Sequence, residues 1–300
     1  MFKTLTAKMT TKATNKRREP DAKNSPEYST SFIAFDGVNL LSKTPMRNGN
    51  VIPINSIDKW LNKIHCGDCI EVMNQMPAES VGLIVTSPPY NLRNSTGGGM
   101  KNGNGGKWEN AKLLNGYETH NDQMPHAEYV EWQRNCLTAM MRVLRNDGAI
   151  FYNHKPRVQA GLLQDRYDIL EGFPVRQCII WQRSGGINFN PGYFLPTYEV
   201  VYLICNPDFK LAPKANAIGD VWNIPQENNN PHPAPFPVEL AQRCIAATTA
   251  EVILDPFIGS GQTAIAAAAL KRNWVGIDIA PEYCKLAGDR IKEARGLFKK

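Results

Sequence analysis

The stretch Val252-Ile-Leu-Asp-Pro-Phe-Ile-Gly-Ser-Gly261 decides the fold. Val252 to Leu254 is an apolar run of buried-strand character. The turn Asp255 to Gly261 follows it, then an alanine-rich helix from Thr263 to Leu270, then a second strand, Trp274 to Ile279. In an open α/β sheet, ligands bind just beyond the carboxyl ends of the strands. Gly259 and Gly261 let the backbone pass close to a ligand, and the helix after them presents free N–H groups.

The next strand carries Asp278 at its end, where a carboxylate is placed to hydrogen-bond both ribose hydroxyls of a nucleoside. The third glycine of the dinucleotide fingerprint is missing, since position 264 is Ala and position 262 is Gln. A single nucleoside such as S-adenosylmethionine therefore fits better than a pyrophosphate-bearing cofactor. The rival reading is a tight turn with no ligand.

A second apolar run, Val81 to Val85, leads into Thr86-Ser87-Pro88-Pro89-Tyr90. Two consecutive prolines stiffen the chain and donate no hydrogen bond, so nearby carbonyls stay free to accept. The exocyclic amine of cytosine or adenine is a poor nucleophile because its lone pair is delocalised into the ring. A hydroxyl and a carbonyl that accept its two N–H bonds draw the nitrogen toward tetrahedral geometry, and the lone pair can then attack a sulfonium methyl in line. Ser87, Pro88 and Pro89 suit that task. Tyr90 offers a face on which an extruded base can stack, and a base in a duplex must be flipped to reach such a pocket. The rival reading is a Pro-rich turn with a core tyrosine.

The chain has 300 residues and 42% hydrophobic content, enough for one large α/β domain with insertions, and no apolar stretch reaches membrane-spanning length. Its seven cysteines are scattered without a disulfide framework, which favours a reducing, cytoplasmic compartment. No secretory signal pattern is read. The net charge of +6 resides in Lys3, Lys8, Lys12, Lys16, Arg17 and Arg18, leaving 28 basic and 28 acidic residues elsewhere. Residues 1–55 are read as a disordered basic tail, with a non-specific phosphate-binding arm as the rival.

The methyl-transfer domain is expected over 56–300. A short strand and turn are expected over Lys63–Asp68, and strands at Val81–Ser87, Ala149–Tyr152, Val175–Trp181, Val200–Cys205, Val252–Leu254 and Trp274–Ile279. Helices are expected at Cys69–Met76, Pro125–Arg145, Pro237–Ala247, Thr263–Leu270 and Pro281–Leu297. Strands alternating with helices predict a Rossmann-like α/β fold, a mainly parallel sheet covered on both faces. Two insertions interrupt it. One is a glycine-rich active-site loop at 91–124, and the other a polar segment at 206–230 anchored by Trp222.

Taken together, the Ser-Pro-Pro-Tyr and Asp-Pro-Phe-Ile-Gly-Ser-Gly motifs resemble those of the DNA amino-methyltransferases of restriction–modification systems and phages, in the β arrangement. There the motifs are circularly ordered, with the chemical motif first and the cofactor motif last. The resemblance spans about Ile64 to Ile291. It implies S-adenosylmethionine as cofactor, held by Asp68, Pro235, Phe236, Asp255, Pro256, Phe257, Gly259, Ser260, Gly261 and Asp278. It places the Tyr198-Glu199 strand start near the flipped base and the 206–230 segment in target recognition. Gln262 stands where the family often has Thr, with Thr263 next to it. By the same resemblance, serine at position 87 points to cytosine N4, with adenine N6 as the alternative. A C5-cytosine enzyme would need a thiolate in a Pro-Cys dipeptide, which is absent.

Lys155 and Arg157 follow a strand end on the active-site side and could grip phosphates, a solvated basic loop being the rival. Gly185, Gly186, Phe189, Tyr193 and Phe194 could wall the base pocket or pack in the core. Cys66 and Cys69 lack a second ligand pair, so no metal is expected. The expected partner is double-stranded DNA, with a cognate restriction endonuclease possible, no membrane, and a monomer or dimer. The more remote rivals are an RNA or protein-glutamine methyltransferase and a non-catalytic DNA-binding protein that keeps a dead fold.

Overall fold

The computed structural model describes residues 56–91, 121, 123–159, 161–183, 191–227, 230, 232 and 235–297, all within one compact unit. The expected tail at 1–55, most of the glycine-rich insertion, and Gly185, Gly186 and Phe189 lie outside the described residues.

Ten strands are described: β1 (Lys63–Cys66), β2 (Val81–Thr86), β3 (Leu144–His154), β4 (Arg157–Gln159), β5 (Leu162–Gln164), β6 (Val175–Gln182), β7 (Tyr198–Cys205), β8 (Val221–Asn223), β9 (Val252–Asp255) and β10 (Asn273–Asp278). Six helices accompany them: α1 (Cys69–Gln75), α2 (His126–Val143), α3 (Tyr167–Leu170), α4 (Val238–Ala246), α5 (Gln262–Ala269) and α6 (Pro281–Leu297). The main sheet has eight strands in the order β1-β10-β9-β2-β3-β7-β6-β8, and β4 and β5 form a separate hairpin. Only β7 runs against its neighbours; every other pairing in the main sheet is parallel.

Alternate residues of each central strand feed two cores. Leu83, Val85, Phe151, Ile253 and Trp274 pack with α4, α5 and α6, whereas Ile84, Ile150, Leu254, Val275 and Ile277 pack with α1, α2 and α3. The near-continuous apolar runs of β2 and β9 reflect burial on both faces. From β2 the chain crosses through α2 to β3; from β9 it crosses through α5 to β10, in the opposite direction along the sheet. The order therefore reverses between β9 and β2, the position at which such sheets open a crevice.

Helix α2 ends two residues earlier than expected. Leu144 turns extended and pairs with Val81, so tertiary pairing overrides the helical spacing. Strand β8 lies inside the polar insertion and extends the sheet beyond β6, with Trp222 buried and Trp181 Nε1 donating to the Ile224 carbonyl at 2.8 Å. Among the described residues, no helix is long and apolar enough to cross a membrane.

Candidate active site

At the reversal, the ends of β2 and β9 are stitched together. Thr86 Oγ1 donates to Asp255 Oδ1 at 2.8 Å, Thr263 Oγ1 donates to Asp255 Oδ2 at 2.6 Å, and the Phe257 amide adds 3.1 Å to Oδ1. Burial pushes the Asp255 carboxyl up to about 6 against the pull of these donors. Asp255 faces the seam between the strands; it does not line the cleft beside it, although the sequence pattern had set it among cofactor contacts.

That cleft receives Ser87 and Pro89 from the β2 end, Pro256, Phe257 and Gly259 from the β9 end, and Asp278 from the β10 end. Asp68 lines it too. One oxygen of Asp68 caps α1, accepting from the Ile70 and Glu71 amides at 2.9 and 3.1 Å. Asp278 accepts from the Gly259 amide at 2.9 Å through one oxygen and from the Ala280 amide at 3.0 Å through the other. Each carboxylate oxygen has two lone pairs, so both can still accept from a pair of hydroxyls.

Gly259 is left-handed at φ +49°, and a Cβ there would meet His232 Nε2 at 3.1 Å. His232 and Tyr283 form one aromatic wall with ring centroids 4.7 Å apart; Trp132 and Phe257 form another at 5.9 Å. A narrow glycine cradle, a two-oxygen acceptor and flat aromatic walls fit a nucleoside. Ser260 and Gly261 are buried behind the cradle and Phe236 is buried in the core, so with Pro235 they lie off the cleft. The Ser260 carbonyl instead accepts from Arg290 Nη1 at 2.7 Å. Arg290 also donates to Gln262 Oε1 and Glu227 Oε1, and Gln262 donates back to Glu227. Gln262 thus joins a polar clasp that sequence reading did not foresee.

On the other side of Ser87 lies a polar cluster. Ser87 Oγ and Tyr90 OH are 2.7 Å apart, and Tyr90 OH donates to Glu199 Oε2 at 3.1 Å. Asn153 Nδ2 reaches Tyr90 OH at 2.8 Å, Glu199 Oε2 at 3.0 Å and Ser87 Oγ at 3.3 Å. Arg183 pairs with Glu199 at 3.5 Å. Pro88 is buried, and no hydrogen bond to its carbonyl occurs among the described residues. Asn153 heads the strand-end segment that the sequence places on the active-site side, but the sequence marks only Lys155 and Arg157 there as site residues; its position after four apolar residues is the signal for Asn153. Tyr198, beside Glu199, is 42% exposed.

Lys155 is half-buried, and burial lowers its pKa, as does the neighbouring Arg183. Arg157 is turned inward: Nε donates to Gln164 Oε1 and Nη1 to the Asn91 carbonyl, each at 2.8 Å, so its guanidinium braces the β4–β5 hairpin against the end of the chemical motif. Tyr193 and Phe194 are not core residues, Phe194 being 97% exposed. Cys66 is exposed while Cys69 is buried with its sulfur 3.7 Å from that of Cys136, so the two thiols diverge.

Residues 81–289 match the family model described as DNA methylase, and the chain belongs to this N6/N4 DNA methylase family. It is 27% identical over 280 residues to the Type II methyltransferase M.BglII of Bacillus subtilis, covering 79% of this chain and 71% of that protein. Its fold is similar to that of TTHA0409 from Thermus thermophilus, solved in complex with S-adenosyl-L-methionine (TM-score 0.56, 24% identity, 77% of this chain and 93% of that one). It is also similar in fold to the cytosine-N4-specific PvuII DNA methyltransferase (TM-score 0.59, 17% identity, 77% and 90%). The chemical motif on β2 precedes the cofactor motif on β9, which is the β arrangement.

Proposed function

We propose that this protein is a site-specific DNA methyltransferase that moves a methyl group from S-adenosylmethionine to the exocyclic amine of a flipped base, cytosine N4 in preference to adenine N6. The observation that carries this reading is the shared cleft, where Ser87 and Pro89 stand opposite Gly259 and Asp278. The bound cofactor supplies an electrophilic methyl group on a sulfonium. Asp278 and Asp68 hold its nucleoside, with Pro256, Phe257 and Gly259 shaping the wall.

Ser87 Oγ and the Pro88 carbonyl accept the two amine hydrogens and turn the nitrogen lone pair toward the methyl group. Methylation needs Ser87 Oγ to exchange its contact with Tyr90 OH for one with the amine, and Asn153 remains at 3.3 Å to steady it. Tyr90 stacks on the base. The cofactor would give up its methyl group to the amine nitrogen and leave as the neutral thioether, and Ser87 Oγ would pass the surplus amine proton on to solvent. Tyr198, the exposed residue beside Glu199, contacts the DNA. Target reading falls to the 206–230 segment, where Ile218 and Val221 are exposed, together with the glycine-rich 91–124 insertion. Double-stranded DNA is the proposed partner, and the cytoplasm the proposed compartment.

Adenine N6 is the second reading, because a hydroxyl and a carbonyl accept either amine. Nucleoside mass spectrometry of unmethylated DNA incubated with the protein and S-adenosylmethionine tests both. N4-methylcytosine supports the preferred base, N6-methyladenine transfers the reading to adenine, and methyl label in RNA or protein alone refutes DNA as substrate.

A further inference from the structure

We infer that Tyr129, Gln133 and His154 are positioning residues that lock the Pro89 carbonyl and the Tyr90 ring of the chemical motif from behind. This rests on the methyl-transfer reading above. Tyr129 and Gln133 lie one turn apart on α2, and His154 ends β3; all three side chains are fully buried. Tyr129 OH donates to the Pro89 carbonyl at 2.9 Å and meets His154 Nε2 at 2.7 Å. Gln133 Nε2 donates to the same carbonyl at 3.2 Å and to Tyr129 OH at 3.1 Å, while its Oε1 accepts from buried Tyr152 OH. A hydroxyl has one proton, so Tyr129 donates either to Pro89 or to His154. Gln133 keeps the carbonyl bonded in both cases.

The His154 ring lies against Tyr90, centroids 4.5 Å apart and planes inclined by 23°. This contact fixes the plane of the Tyr90 ring from the α2 side. Buried Arg166 sits 5.9 Å over the Tyr129 ring, none of its side-chain nitrogens hydrogen-bonded among the described residues. Burial, with this charge adding, keeps His154 neutral. Apolar side chains would fill the same space without the desolvation cost of three buried polar groups. Their bonds converge on one proline carbonyl and one aromatic ring of the chemical motif. That convergence assigns them to holding the motif.

The test compares the parent, Tyr129→Phe, Gln133→Leu and the control Tyr202→Phe, whose buried hydroxyl donates instead to the Asp165 carbonyl. Turnover on unmethylated DNA, KM for DNA and cofactor, thermal midpoint, and amide exchange of the cofactor-free protein over residues 86–91 are measured. The expected result is a 10- to 100-fold lower kcat in Tyr129→Phe and Gln133→Leu, KM values within twofold, and faster exchange over 86–91, with none of these changes in Tyr202→Phe. The inference is overturned if a folded Tyr129→Phe keeps kcat within twofold of an active parent, if Tyr202→Phe shows the same loss, or if only KM moves. If Tyr129→Phe does not fold, Gln133→Leu decides by the same criteria, and unfolding of both overturns the inference in favour of a purely structural role. A parent that methylates nothing overturns the functional reading itself, a result separate from any difference among variants.

Discussion

Thr86 and Asp255 stand 169 residues apart in the chain and share a 2.8 Å hydrogen bond at the point where the sheet order reverses. Through it the strand that ends in the chemical motif and the strand that ends in the cofactor motif are held at one height. The bond is buried, so its geometry is not diluted by water.

Protonation of Asp255 gives a stability prediction with a definite sign. Its carboxyl is raised from 3.8 to about 6 by burial, so the folded state holds a proton that the unfolded chain releases. This contribution is complete below pH 3.8 and is lost as pH rises through about 6. Asp255→Asn has no such titration. In urea unfolding at pH 4 and pH 7.5, the parent is expected to lose roughly 3 kcal/mol relative to Asp255→Asn over that span, from about two pK units. Parallel pH profiles for the two proteins would show that Asp255 is not raised.

Ser87→Ala removes one of the two acceptors proposed for the amine. A fall in kcat of about 100-fold is expected, the scale seen on loss of one preorganised hydrogen-bond partner, with cofactor affinity unchanged. Single-turnover methylation and calorimetric cofactor titration separate the two quantities.

Gly259→Ala forces a side chain into a left-handed position 3.1 Å from the His232 ring. Asp278→Ala removes the acceptor of the Gly259 amide. Each is expected to weaken cofactor binding by about 10- to 100-fold, or about 1.4 to 2.8 kcal/mol. Calorimetry reads it directly, and an unchanged Kd in both variants would detach this cleft from the cofactor.

Arg290→Ala strips donors from the Ser260 carbonyl, Gln262 and Glu227 together. The expected cost is about 1–3 kcal/mol of stability for the acceptors left unmet, visible as a lower denaturation midpoint. Cofactor KM should rise with it, because the clasp backs the glycine cradle.

Arg157→Ala tests the basic strand-end residue in another way. Its guanidinium is bonded to Gln164 and Asn91, so the salt dependence of DNA binding should not change. A phosphate contact would instead reduce the slope of log K against log salt by about one.

Much of the scaffold was legible because long apolar runs and capped helices announce themselves locally. α6 falls at its expected bounds, β1 lies within the expected strand and turn, and β2, β7, β9 and β10 fall within two residues. The β4–β5 hairpin, α3 and β8 were not read, being three or four residues each and too short to show a period. The lining of the cleft by Ser87, Gly259 and Asp278 followed from strand ends, which a sequence can mark. The inward roles of Asp255 and Arg157 did not, because a carboxylate or guanidinium looks the same in sequence whether it faces a ligand or a neighbouring strand. Tyr129 and Gln133 carried a faint trace: polar groups one turn apart on the apolar stripe of α2.

The placement of β9 beside β2 also bears on how the protein is made. During synthesis β2 emerges early, and β3 can pair with one of its edges soon after. Its other edge has no partner until the ribosome reaches residues 252–255. Until then a bare Val-Gly-Leu-Ile-Val-Thr edge is open to pairing with other chains. Chains interrupted before Val252 should therefore collect as aggregates, and yield of the full chain should rise when translation outpaces such encounters or a holdase shields that edge.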